Sequence, residues 1–345
     1  MKEIFPGVAG NALLKERLAP KLLAGRLPHA LILEGKAGSG RRTFAREIAM
    51  AAACEKRADP ALPLPCGECE ACRKIGNDLS PDILRIARAP GKATLGVEAV
   101  RGVRESVRTV PNDLDVKIYI IEDADTMTVQ AQNALLLTLE EPPQYVLFLL
   151  LATDAMALLE TIRSRAPVYR TQPVSEREMR EYLIAHSPEA ARLFREAPEE
   201  AEGILRLSGG SIGEALRHIG GADRATLLQY RENAAGVCRL LSDRSSPAAL
   251  LTLMLTFPQG REELTAQLGV FRLALRDLIL LSRTENAPLC FYTDRESAAE
   301  AAAHLPPARW MRCIAATEEA ISALAANANT RLTLTRLFDR LGSAG

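Results

Sequence analysis

Apolar runs and polar breaks alternate along the first half of the chain. ALILEG (30–35) is a short apolar run entering a glycine-rich turn. RRTFAREIAMAAA (41–53) follows, with Phe44, Ile48 and the alanines on one face at helical spacing. DILRI (82–86) predicts a strand, and EAVRGVRESVRTVP (98–111) predicts a basic amphipathic helix ended by Pro111, with Arg101, Arg104 and Arg108 along one face. KIYIIEDAD (117–125) predicts a buried strand finishing in acids, and TMTVQAQNALLLTLEEPP (126–143) a helix stopped by Pro142 and Pro143. QYVLFLLLAT (144–153) predicts another buried strand and LLETIRSRA (158–166) a short helix. Strands alternating with helices point to an α/β domain whose parallel sheet is covered on both faces.

From TQPVSEREMREYLIAH (171–186) the pattern becomes helical and stays so. Ser175 followed by Glu178 is a capping box that opens a helix. GGS at 209–211 and GG at 220–221 break the helical run. The chain therefore divides into an α/β domain at 1–170, a small helical domain at 171–225 and a longer helical one at 226–345. A length of 345 residues fits more than one core.

Lys plus Arg (43) equals Asp plus Glu (43), so there is no basic excess for gripping nucleic acid unaided. The start, MKEIFPGVAG, lacks the apolar core of a secretion signal, and the longest apolar stretch, VLFLLLA, is strand-sized. The expectation is a cytoplasmic protein without a membrane span.

The turn GKAGSGRRT (35–43) nearly matches G-x-x-x-x-G-K-[ST], the loop whose backbone N–H groups cradle phosphates at a helix start. Gly35, Gly38 and Gly40 are in place, but Arg41 stands at the Lys position and Arg42 at the Ser/Thr position. A guanidinium cannot replace the hydroxyl that ligates Mg²⁺. Thr43 lies about 100° further round the helix, off the required face. The expectation is a degenerate phosphate loop that keeps its backbone and loses its metal chemistry, binding ATP weakly or not at all. The strand end is altered too. Glu122 precedes Asp123, the reverse of the usual acidic pair, and neighbouring strand residues point to opposite faces. Both a phosphate role and a solvated strand terminus stay open for this pair.

Cys54, Cys66, Cys69 and Cys72 fall within one irregular segment (about 54–82) and contain two overlapping CxxC steps. In a reducing compartment such clustering points to metal rather than disulfides. Four soft ligands suit a structural Zn²⁺, while the spacing departs from the ferredoxin run. The histidines form no cluster, and taken alone Arg163 and Arg165 read as solvated residues on a short helix.

HALILEGKAGSGRRTFA, the four-cysteine insert, KIYIIEDADTMTVQAQNALLLTLEEPP, LLETIRSRAPVYR and LSGGSIGEALRH occur in the order found in bacterial clamp-loader subunits of DNA polymerase III. The chain resembles that family over about 1–220, and more weakly through NANTRLTLTRL at 327–337. The resemblance implies a AAA+ P-loop-type domain with a zinc insert, a helical lid and a helical collar that assembles a ring. It implies partners: gamma/tau motor subunits and delta in a hetero-pentamer that opens a sliding clamp and places it on primer–template DNA, within a nucleoid-associated replisome. It implies that Cys54, Cys66, Cys69 and Cys72 hold zinc. It also implies that Arg165, beside Ser164 in Ser-Arg-Ala where the family has Ser-Arg-Cys, is an arginine finger acting on a neighbour's ATP. Motor subunits of the family carry Lys and Thr in the loop and a phosphate-sensing Arg after GGS, where this chain has Gly213. These departures favour the non-hydrolysing delta-prime type, and an active gamma/tau-like ATPase is the alternative. No palm-like set of carboxylates indicates a polymerase site in the chain itself.

Overall fold

The computed structural model describes residues 2–36, 38–89, 91–243, 247–284 and 287–343. These residues form two compact units, one of Met1–Met179 with Ser211–Gly213, the other of Arg180–Gly210 with Glu214–Gly345.

The first unit is built on five parallel strands: β1 (Ala30–Glu34), β2 (Ile83–Ile86), β3 (Lys117–Ile121), β4 (Val146–Ala152) and β5 (Val168–Arg170), in the order β2-β3-β4-β1-β5. Its helices are α1 (Ala12–Leu23), α2 (Arg41–Ala53), α3 (Glu70–Gly76), α4 (Val97–Ser106), α5 (Val129–Glu140) and α6 (Glu160–Arg163). β4 is buried throughout, and its alternation shows why the run is continuously apolar. Leu147, Leu149 and Leu151 pack with Phe44, Ile48 and the α1–α3 side, while Val146, Phe148, Leu150 and Ala152 pack with Val100, Val103, Leu135 and Ile162 of α4–α6. A parallel sheet covered on both faces needs apolar residues at both parities.

Most elements fall where the sequence places them, and the differences have local causes. The helix expected to run to Pro111 ends at Ser106, because the buried Lys117 ammonium reaches back from β3 to the carbonyls of Ser106 (2.8 Å) and Thr109 (3.2 Å). Arg108 therefore lies beyond the helix and does not share a helical face with Arg101 and Arg104. α5 starts at Val129 rather than Thr126, since the Thr128 hydroxyl caps it by accepting from the Ala131 N–H. The edge strand β5 and helix α1 are not visible in the apolar pattern. β5 is three residues long, and α1 has only Leu14, Leu18 and Leu22 buried.

The second unit is helical. α7 (Glu176–His186) enters it from the first unit, followed by α8 (Pro188–Glu196), α9 (Pro198–Leu207), α10 (Ile212–Ile219), α11 (Gly221–Ser242), α12 (Pro247–Met254), α13 (Arg261–Leu281), α14 (Arg295–Ala303), α15 (Pro307–Ala325) and α16 (Thr330–Ser343). The Ser175–Glu178 box forms as expected: the Glu178 carboxylate accepts from the Ser175 N–H at 3.1 Å, and the Ser175 hydroxyl accepts from the Glu178 N–H at 3.3 Å. Trp310 is fully buried with its indole N–H on the Ala302 carbonyl. Leu334 and Leu337 are core, whereas Leu332 is exposed. Among the described residues no helix is long and apolar enough to cross a membrane.

Candidate functional site: a degenerate phosphate loop, an acidic strand end and a four-thiol cluster

The glycine turn leaves the carboxyl end of β1, flanked by β4 and β5, which is where open parallel sheets place ligands. Gly38 (φ 75°) and Gly40 (φ 84°) adopt the left-handed conformation that a side chain disfavours, and Gly40 caps α2. Glycine is thus required at these two positions by the backbone itself.

The space around it is not open in the same way. A Cβ at Gly35 would stand 1.9 Å from the Thr171 hydroxyl, which also hydrogen-bonds the Ser39 hydroxyl at 2.9 Å. Gly213 belongs to this same unit, and its N–H donates to the Gly38 carbonyl at 3.4 Å. A Cβ at Gly213 would lie 3.2 Å from the Gly38 Cα, so the loop and the start of α10 touch backbone to backbone.

The charges sit in an unusual arrangement. α2 begins with two arginines and no acid in its first turn, which sets positive charge against the positive end of the helix dipole. The balancing anions come from the end of β3. Arg42 lies 2.5 Å from the Glu122 carboxylate, whose side chain is only 11% exposed. Arg88, from the loop after β2, pairs with Asp123 at 3.0 Å. Glu122 is thus a nearly buried ion-pair partner. Asp123 itself takes a left-handed conformation (φ 49°) that starts a single 3-10 turn at Ala124–Thr126. Burial lowers the basicity of Arg41, an effect opposed by Asp125 and Asp123. One Arg41 guanidinium nitrogen and one Asp125 oxygen are buried without a hydrogen-bond partner among the described residues. The other Asp125 oxygen accepts from the Thr153 N–H at 3.1 Å.

Arg88, Asp125 and Thr171 are not singled out by the sequence. Each follows a different strand, and only the sheet order brings the three to one rim.

Arg165 follows α6. Its guanidinium donates to Glu140 (2.9 Å) and to the Thr161 carbonyl (3.0 Å), while the Ser164 hydroxyl donates to that same carbonyl at 3.0 Å. Ala166 is fully buried in the core cluster on this side of the sheet. Ala166 thus fills a core position, while the neighbouring Arg165 side chain stays half-buried.

The four cysteines converge. Their sulfurs all lie within 4.8 Å of one another and all four residues are buried. A tetrahedral ion with bonds of about 2.3 Å sets its sulfurs about 3.8 Å apart, and the Cys66 and Cys72 sulfurs are 3.9 Å apart. Cys54 ends α2 and Cys69 caps α3, so an ion held here would tie the helix of the glycine loop to the insert. Burial opposes ionisation of Cys66, but N–H donation from Cys69 and Glu68 and hydrogen bonds from neighbouring thiols outweigh it and lower the thiol to about 7. Burial raises Cys54 and Cys72. This donor set fits a thiophilic tetrahedral metal such as zinc.

The fold and site define an α/β domain built on a five-stranded parallel sheet, with a four-thiol insert. A family profile described as "DNA polymerase III, delta subunit" matches residues 10–175. The delta' subunit of Escherichia coli DNA polymerase III is 33% identical over 217 residues, covering 62% of this chain and 62% of that protein. The tau subunit of the same organism is 34% identical over 212 residues, covering 59% of this chain and 32% of that protein. The chain thus spans about a third of the tau subunit and under two thirds of delta'. Among solved structures, a DNA polymerase III gamma subunit-related protein from Thermotoga maritima aligns over 94% of this chain and 98% of its own, at 17% identity and a TM-score of 0.48. Residues 10–175 thus match that family's profile, and the chain is similar to the delta' and tau subunits of DNA polymerase III.

Proposed function

We propose that this chain is a non-hydrolysing, delta-prime-like subunit of a clamp loader, a stator that completes the ATP site of a neighbouring motor subunit. The observation that supports this reading most strongly is the internal pairing of both strand-end carboxylates. A hydrolytic site keeps its acids free to orient Mg²⁺ and water. Here Glu122 is held by Arg42 and Asp123 by Arg88. The Mg²⁺-ligating hydroxyl is missing, and Gly213 brings backbone, with no side-chain cation, to the loop. Three parts of a hydrolytic site are altered together, so the chain's own loop has a low or absent affinity for ATP.

Arg165 supplies the complementary function. Its guanidinium lies on the surface beside α5 and would extend to the ATP of the adjacent subunit, with Ser164 at its base. Stabilising charge on the transferring phosphoryl group in this way is worth about 10³–10⁵ in rate. The partners are gamma/tau motor subunits and delta in a hetero-pentamer, which engages the sliding clamp and primer–template DNA in the cytoplasm. Residues 171–225 serve as the lid and 226–345 as the collar. The four thiolates hold a structural zinc, because a closed four-sulfur shell leaves no position for substrate.

The alternative is an active gamma/tau-like motor. Identity to tau (34%) and to delta' (33%) is nearly equal, so resemblance does not discriminate and site chemistry must. In a complex rebuilt with the motor subunits, Arg165→Ala lowers ATPase and clamp loading at least tenfold, against the ~10³ of a full finger, while the ring still assembles on gel filtration. Unimpaired hydrolysis by that assembled complex contradicts the trans-acting role.

A further inference from the structure

Glu140 is the last residue of α5, followed by Glu141, Pro142 and Pro143. Two carboxylates at a helix C-terminus oppose the negative end of its dipole, and α5 has no basic residue in its last turn to offset them. The prolines prevent the helix from continuing, so the position of Glu140 relative to the Thr161–Arg165 turn is set by the backbone. The compensating cation comes from across the fold: Arg165 donates from Nη2 to the Glu140 carboxylate at 2.9 Å, while Nη1 donates to Thr161. Glu140 is the carboxylate to which Arg165 is paired among the described residues.

We infer that Glu140 is a resting latch for Arg165, a positioning residue that holds the guanidinium against its own subunit until a stronger anion competes for it. The inference rests on the trans-acting reading of Arg165 and adds its regulation. Release exchanges one anion for another. To reach a neighbour's triphosphate, Arg165 gives up one carboxylate and gains several phosphate oxygens of higher charge. The latch must be weak for this to work, and it is: the side chains of Arg165 and Glu140 are 35% and 48% exposed, so water screens the pair. Pairs of this kind shift an equilibrium by about 1.4- to fivefold. That is enough to suppress idle engagement and too little to block the finger. The Nη1 bond to the Thr161 carbonyl holds the same guanidinium independently of Glu140, and reaching outward gives it up as well.

Two measurements test the latch. In the isolated full-length chain, arginine modification by phenylglyoxal is followed at Arg165 by mass spectrometry, with Arg163 as the internal reference. Glu140→Gln raises the Arg165 rate about two- to fivefold, leaves Arg163 unchanged and removes the salt dependence of Arg165 labelling, and Glu140→Asp falls between. Equal labelling of wild type and Glu140→Gln overturns the latch. In the rebuilt complex without DNA, Glu140→Gln raises ATPase by a similar factor and leaves the DNA-stimulated rate within about twofold of wild type. A basal rate identical to wild type, or a stimulated rate as low as that of Arg165→Ala, overturns the regulatory role. If Arg165→Ala itself hydrolyses normally, the finger reading fails, and the labelling result alone then decides whether the latch exists.

Discussion

The Arg42–Glu122 pair can be tested by its coupling energy rather than by a single substitution. Arg42→Ala removes an ion pair but also removes a positive charge from the first turn of α2. The first effect costs about 0.2–1 kcal/mol, because the Arg42 side chain is 69% exposed and screened. The second returns about 0.3–1 kcal/mol through the helix dipole. The single variant is therefore expected to be nearly neutral, a result that would wrongly suggest an idle residue. A double-mutant cycle with Glu122→Gln cancels the dipole contribution and isolates the pair. The expected coupling is about 0.5–1 kcal/mol, at the upper part of the surface range because Glu122 is close to buried. Urea unfolding should be followed by far-UV circular dichroism. The only tryptophan, Trp310, belongs to the other unit and reports on that unit instead. A coupling below about 0.2 kcal/mol would mean that Arg42 does not hold Glu122, leaving that carboxylate free for a cation and undoing the argument for a silenced site.

The purified chain is expected to carry one zinc per molecule, and Cys69→Ser to weaken binding more than about tenfold, the lower end of what even an outer-shell partner is worth. A metal-free wild type, or a Cys69→Ser variant with unchanged metal content and melting, counts against the site. Gly213→Ala should fail to deliver the about 0.5–1 kcal/mol that a helical Gly→Ala change normally gains, because the new Cβ meets Gly38 backbone at 3.2 Å. The full gain in urea unfolding would show that the loop does not rest there. Burial raises the Glu47 carboxyl above its ordinary 4.5, opposed by the Gly7 N–H, Arg46 and Lys15. The folded state then binds the proton more tightly than the unfolded state, so this contribution is complete below pH 4.5 and is lost as pH rises through the raised folded value. Glu47→Gln should accordingly be more stable than wild type at pH 7, with the gap closing below pH 4.5. A gap that grows on acidification reverses the sign and refutes the reasoning.

Legibility in the sequence followed the length scale of each signal. The buried strands β3 and β4 and the helix α2 were legible because a continuous apolar run or a 3.6-residue period repeats over several turns or both sheet faces. The four cysteines were legible because ligand type and spacing are local, and the structure adds only their convergence. β5 was hidden because three residues at an edge carry no period. The end of α4 was misplaced because the determinant, Lys117, lies eleven residues away on another element. The site divides in the same way. Missing hydroxyl and inverted acids could be read directly, whereas their neutralisation could not, since Arg88 reaches Asp123 across 35 residues and Glu140 reaches Arg165 across 25.

The central claim is that the chain cannot organise magnesium at its own loop while lending a guanidinium elsewhere. The most direct measurement is calorimetric titration of the purified, zinc-loaded chain with ATP, with and without Mg²⁺, accompanied by a turnover assay. The account predicts weak or undetectable binding that Mg²⁺ does not strengthen, and no hydrolysis above background. Tight, Mg²⁺-dependent binding with steady turnover that Gly40→Val abolishes would contradict it.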